Sequence, residues 1–149
     1  MNQYMRKFMK KIVCAVCALG IAAGILVPVQ AKEKSSFWLS GTSFDVEGGR
    51  LGIYYEKEDA ILLKGRVKKS VSKNRLNQAD ERKIKSVISI SDTCRIVFEE
   101  EDGSMTAGLY KEWIKDGGGG DYQEGDRMGF CTVLIKVKNN KAVKIIFLN

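Results

Sequence analysis

The sequence predicts a mostly β domain with one helix, an α+β arrangement, behind an N-terminal export signal. Three observations predict it. After residue 60 apolar and polar residues alternate with period two in several short runs. A single stretch of the later chain, Leu109 to Ile114, carries helical spacing. An apolar run from Ile12 to Val29 follows a basic N-terminus that holds Arg6, Lys7, Lys10 and Lys11 and no acid.

The N-terminal segment is the first element. A basic stretch, an apolar stretch ending at Pro28, and then Val29-Gln30-Ala31 give signal peptidase its short side chains three residues and one residue before a cut after Ala31. Residues 1–31 are thus expected to be a cleaved signal peptide, with the remaining domain secreted or otherwise extracytoplasmic. The apolar run also approaches the roughly 18–20 residues of a membrane span, so a retained anchor is the alternative. Cys14 and Cys17 follow Val13 and Val16 rather than small residues, which disfavours a lipoprotein.

Cleavage would leave 118 of the 149 residues, the size of one domain with room for a real core. It would also remove four of the 25 basic residues, leaving 21 against 18 acids, so a net charge of +7 falls to +3. Between Lys64 and Lys85 nine basic residues face only Asp80 and Glu81, while the rest of the exported chain is net acidic. The molecule should therefore be electrically asymmetric. Histidine is absent, which removes the commonest general base, the histidine-activated nucleophiles and the commonest metal ligand.

Residues 32–36 form a polar leader, and a single domain is expected over 37–149, opening with Phe37-Trp38-Leu39. Runs at 43–47 and 50–55 around Gly48-Gly49 predict a hairpin. From Ile61 the residues Ile61, Leu63, Gly65 and Val67 share an inward face, and a glycine there marks a sharp bend. Residues 70–83 lack periodicity and predict a long basic loop, with a short helical turn at 78–83. Strands follow at 84–91 and 94–99, separated by Ser91-Asp92-Thr93, and Glu99 to Gly103 forms an acidic turn. Thr106 is placed to cap a helix over 106–115 whose Leu109, Tyr110, Trp113 and Ile114 make one stripe, and Gly117 to Gly125 is a loop. Alternation over Phe130 to Leu148 around Asn139-Asn140 predicts a closing hairpin.

Strands at 61–69, 84–91 and 94–99, a helix, then strands at 130–138 and 142–148 follow the element order of an OB-fold barrel. From Ile61 onwards the chain resembles small exported bacterial OB-fold-like proteins, with the hairpin at 43–55 as an addition to the five-stranded barrel. The resemblance implies that the loop at 69–83 and the Asn139-Asn140 turn lie where such barrels commonly take ligands.

The basic segment is the first candidate site, with Arg66, Lys68, Lys69, Lys73 and Arg75 as ligand-binding residues, because clustered cations neutralise anionic groups. A solvated charged face is the plainer alternative. Base stacking would need exposed aromatics, whereas Leu62, Lys64, Arg66 and Lys68 face outward. Extracellular anionic polymers or an acidic membrane surface are thus the expected partners, rather than nucleic acid. Cys94 and Cys131 fall on inward strand positions and predict a disulfide closing a loop of about 37 residues, worth roughly 3–4 kcal/mol.

The acids at 99–102, 116, 121, 124 and 126 match neither the every-second-residue ligands of an EF-hand nor a glycosidase pair, and Gly117 to Gly120 lacks the Gly-Lys-Ser/Thr of a phosphate loop. No catalytic residue, metal site or cofactor is expected. The sequence reads as a secreted, non-enzymatic binding or accessory domain. A small secreted carboxylate-dependent hydrolase and a membrane-anchored extracytoplasmic domain are the alternatives.

Overall fold

A side chain that alternates between core and water leaves its mark on burial, and residues 60–70 show it. Ile61, Leu63 and Val67 are buried, while Lys64 between them is exposed. They belong to a sheet seen in a computed structural model that describes residues 35–148 apart from Gly119. Residues 1–31, expected to be a signal peptide, and the start of the polar leader lie outside the described residues.

Seven strands form the sheet: β1 (Ser36–Thr42), β2 (Leu51–Lys57), β3 (Ala60–Ser70), β4 (Glu81–Glu99), β5 (Met105–Leu109), β6 (Thr132–Lys138) and β7 (Lys141–Leu148). A 3-10 turn at Lys73–Gln78 joins β3 to β4, and the helix α1 (Tyr110–Lys115) follows β5. The strand order is β2-β3-β1-β6-β7-β4-β5, and β3 also pairs with β4. Hydrogen bonding therefore runs from β3 through β1, β6, β7 and β4 and returns to β3. The β4–β7 pairing is parallel and the others are antiparallel.

Inward residues of these strands, among them Leu39, Ile53, Leu63, Ile96, Val133, Ile135 and Ile145, make one continuous core. Each such side chain contributes roughly 1.5–3 kcal/mol on burial. An aromatic group closes one end of it. Phe147 lies 5.5 Å from Phe98, 6.1 Å from Phe130 and 6.4 Å from Trp113, and Tyr110 lies 5.6 Å from Trp113. The helical residues Tyr110 and Trp113 thus pack on the sheet as their spacing predicts. Ser36–Asn149 forms one compact unit.

One edge of β3 is shared. β2 pairs with Ala60 to Gly65 and β1 with Lys68 to Ser70, while β4 runs along the opposite edge. The handover falls at Gly65, whose φ is +136° and where a Cβ would overlap the Arg50 carbonyl oxygen. Glycine is required there because the Arg66 amide donates to that same oxygen at 2.8 Å.

Several sequence expectations change. The runs at 43–47 and 50–55 do not pair as a hairpin: 44–50 is a loop between β1 and β2, and Ser43 and Leu51 meet in a parallel bridge. Competing bonds cause this, since the Ser43 amide donates to the Cys131 carbonyl and the Arg50 amide to the Thr42 carbonyl. The helical turn of the basic loop lies at Lys73–Gln78, anchored by buried Leu76, and not at 78–83, where β4 already begins. The strands expected at 84–91 and 94–99 are one strand, with a register shift between Ile90 and Arg95 where a turn was expected. Residues 105–109 form β5 instead of a first helical turn, because Glu100 and Gly103 close a tight turn that folds the chain back on β4.

The expected Cys94–Cys131 disulfide is not formed. Cys94 is buried and Cys131 exposed, both as free thiols. The inward parity holds only inside β6, which starts at Thr132, and the bend at Cys131 turns its side chain out. The closing hairpin is as predicted, and Asn139 and Asn140 take φ of 52° and 67°, the two positive values of a type I′ turn.

Candidate functional site

The cations of the basic segment are arranged by strand register. β3 and β4 place Lys64 opposite Lys85 and Arg66 opposite Lys83, so two like-charged pairs stand side by side on one ladder. Between them lies the Gly65–Ile84 pair. Directly opposed like charges destabilise a sheet; the one acid beside them on this ladder, Glu81, stands a pair further along opposite Lys68 and forms no ion pair with them. The ion pairs among the described residues are Lys57–Asp59 and Arg127–Asp45, both elsewhere.

A groove of about 490 Å³ opens at this place, lined by Lys64, Gly65, Arg66, Lys83, Ile84 and Lys85 from the ladder and by Phe44 and Arg50 from the loop 44–50. Five of its eight residues are cations and none is an acid. Phe44 is half exposed at 50%. The close approach permitted by Gly65 holds Arg50 against β3, and a Cβ on Gly49 would overlap the Ser43 carbonyl oxygen. In the same loop the Asp45 amide donates to Ser43 Oγ at 3.0 Å, and the Asp45 carboxylate is paired with Arg127 Nη2 at 2.8 Å. Of the loop's two acids, Asp45 is thus already engaged.

The five residues singled out by sequence do not converge on one site. Arg66 borders the groove. Lys68 and Lys73 line a separate polar cleft of about 480 Å³ beneath the 3-10 turn, where Lys68 Nζ donates to the Asn77 carbonyl at 3.3 Å and Glu81 is the cross-strand partner of Lys68. Lys69 Nζ sits 4.1 Å from the Phe37 ring centroid, and Arg75 is exposed at the end of the 3-10 turn. Sequence reasoning missed Phe44, Arg50, Lys64, Lys83 and Lys85 as a group. The signal available was the i, i+2 spacing of cations in both strands, but their pairing depends on register.

Carboxylates of the acidic stretches serve local turns. Asp102 Oδ1 accepts the Ser104 amide at 2.8 Å, which holds this exposed carboxyl below its ordinary range, and Asp126 Oδ2 accepts the Gln123 amide at 2.8 Å. Burial, with Asp126 beside it, pushes the Tyr122 hydroxyl up. Burial pushes the Cys94 thiol up to about 12, so it stays protonated and unreactive at neutral pH. Among the described residues no group of three or more metal-ligating side chains is gathered, and no helix is long and apolar enough to cross a membrane. Compared with known proteins, the chain matches no family model, no curated protein and no solved structure.

Proposed function

We propose that this is an exported binding domain that holds an anionic polymer of the cell envelope or extracellular medium in the β3–β4 groove. One observation carries the reading: two directly opposed cation pairs that no ion pair with a carboxylate among the described residues neutralises, beside a half-exposed Phe44. A polyanion lying across Lys64, Arg66, Lys83 and Lys85 would turn repulsion into attraction and release counterions. The lining of cations with one exposed aromatic suits holding an anionic chain.

The barrel reading belongs to this proposal. The return of the pairing path to β3 supports an OB-fold-like closure whose numbering differs from the sequence expectation: β1 and β2 together take the place of the first strand, β3 at 60–70 becomes the second instead of the first, β4 the third, and the β6–β7 hairpin follows α1. In that reading the polymer lies on a strand face such folds use for ligands. Export rests on the basic and apolar leader, and N-terminal sequencing of the native protein should begin at Lys32.

The binding test is retention on a sulfated or phosphorylated polymer as salt is raised. Each of Lys64, Arg66, Lys83 and Lys85 changed to Gln should lower the slope of log affinity against log salt by about one. Unchanged slopes in all four variants would refute the groove.

A further inference from the structure

We propose that a second cationic face, formed by β1, β6, β7 and the end of β4, docks on an acidic lipid surface. Register places it. Trp38 stands opposite Lys136, Lys136 opposite Lys144, and Lys144 opposite Arg95, so one row of side chains crosses four adjacent strands. The next row along the hairpin sets Lys138 opposite Lys141. Val133, Ile135 and Val137 fill the core from the other face of β6, which fixes the lysines outward.

No ion pair among the described residues neutralises the array. Residues 128–149 hold four lysines and no acid, and neither ion pair of the described residues involves them. Asp92, in the bend of β4, is the acid closest along the chain, and it forms no pair with Lys144 or Arg95 within 4.0 Å. Trp38 is half-buried, with Lys136 Nζ 5.9 Å and Lys73 Nζ 5.7 Å from its ring centroid.

Shape and chemistry select the partner. These cations spread in two dimensions, across strands about 4.8 Å apart and along the hairpin, whereas a linear polymer needs a line or a groove. Charge of this layout complements a plane of anionic headgroups. Lysine stems are long enough to keep their ammonium groups at the phosphates while an aromatic with one wet edge enters the interface. This surface is separate from the β3–β4 groove and does not depend on it.

The test uses the compact domain from Lys32 onward and vesicles of phosphatidylcholine with or without phosphatidylglycerol. Binding should require phosphatidylglycerol and weaken with salt, and tryptophan emission should shift to shorter wavelength, a shift that Trp38→Phe removes. Each lysine lost should weaken binding about fivefold, so Lys136→Gln with Lys144→Gln costs about 25-fold. Lys64→Gln with Lys85→Gln should instead impair polymer retention and change vesicle binding by less than about threefold. Equal binding to neutral vesicles would overturn the proposal. So would equal losses from both double variants, or binding of a soluble polyanion through Lys136 and Lys144 without vesicle binding.

Discussion

If the β3–β4 ladder is kept cationic for a ligand, making it electrically sound should stabilise the domain and disable it. The sharpest perturbation is Lys85→Glu, which faces Lys64 directly. Directly opposed side chains sit about 5 Å apart at Cβ, and unit charges at that distance in water interact by about 0.8 kcal/mol. Replacing a repulsion by an attraction counts that quantity twice. Flexible side chains and salt reduce the total, so a gain of about 0.5–1.5 kcal/mol is expected at low ionic strength. For a domain of this size that is a rise in Tm of roughly 2–8 °C.

Thermal unfolding followed by circular dichroism at low salt and again near molar salt is the assay, since screening should remove most of the gain. Polymer retention should fall in the same variant. A lower Tm at low salt would mean that Lys85 makes a favourable contact in the native state. A higher Tm with retention unchanged would separate the ladder from binding. Either result refutes the reasoning.

Three further predictions concern the frame. Gly65→Ala should destabilise by about 3 kcal/mol or more, because an L-residue at φ +136° is strained and its Cβ meets the Arg50 carbonyl; a loss below about 1 kcal/mol in urea denaturation would show that the strand handover relaxes freely. In the domain from Lys32 onward, one thiol, Cys131, should react quickly with a disulfide reagent in the native state and two after unfolding, with mass unchanged by reductant. Stability should fall between pH 9.0 and about 12, because the folded state keeps the Cys94 proton that the unfolded chain releases. The loss approaches 4 kcal/mol at most, it is absent below pH 9.0, and Cys94→Ala should flatten the alkaline limb relative to the parent.

The strands with strict alternation were legible from sequence. β3 came through with its faces and the β6–β7 hairpin with its Asn139-Asn140 turn, because period two records a buried face; a register shift in the hairpin turns Ala142 inward where alternation put Val143. Residues 36–57 did not. Gly48-Gly49 resembles a hairpin turn locally, yet Ser43 and Arg50 find other backbone partners, and such competition is tertiary. The helix was overextended for a related reason, since Thr106 is a good cap in isolation but its segment completes the edge of β4. Cys131 was misplaced by carrying strand parity one residue beyond the strand.

The candidate site was half legible. Charge density over Lys64 to Lys85 was visible, but which cations face one another is a property of register, and the loop between the strands drew notice from the strands themselves. The hairpin lysines escaped because four cations spread over nine residues are unremarkable until β1 and β4 add Trp38 and Arg95 alongside.

Both cationic surfaces arise from one structural fact. Inward positions of β3, β4, β6 and β7 are committed to the core, so function can be written only on the outward positions, which the sheet then sets side by side. Opposed like charges at two places cost the domain stability, which the anionic partners proposed above would restore. Topography then sorts the partners. Gly65 lets the loop 44–50 rise beside β3 and makes a groove with an aromatic rim, which suits a chain. On the β6–β7 face the 3-10 turn shares a cleft with Thr132, Leu134 and Leu148, while Lys136, Lys138, Lys141 and Lys144 lie beyond it, spread across the strands toward the tight turn, which suits a surface.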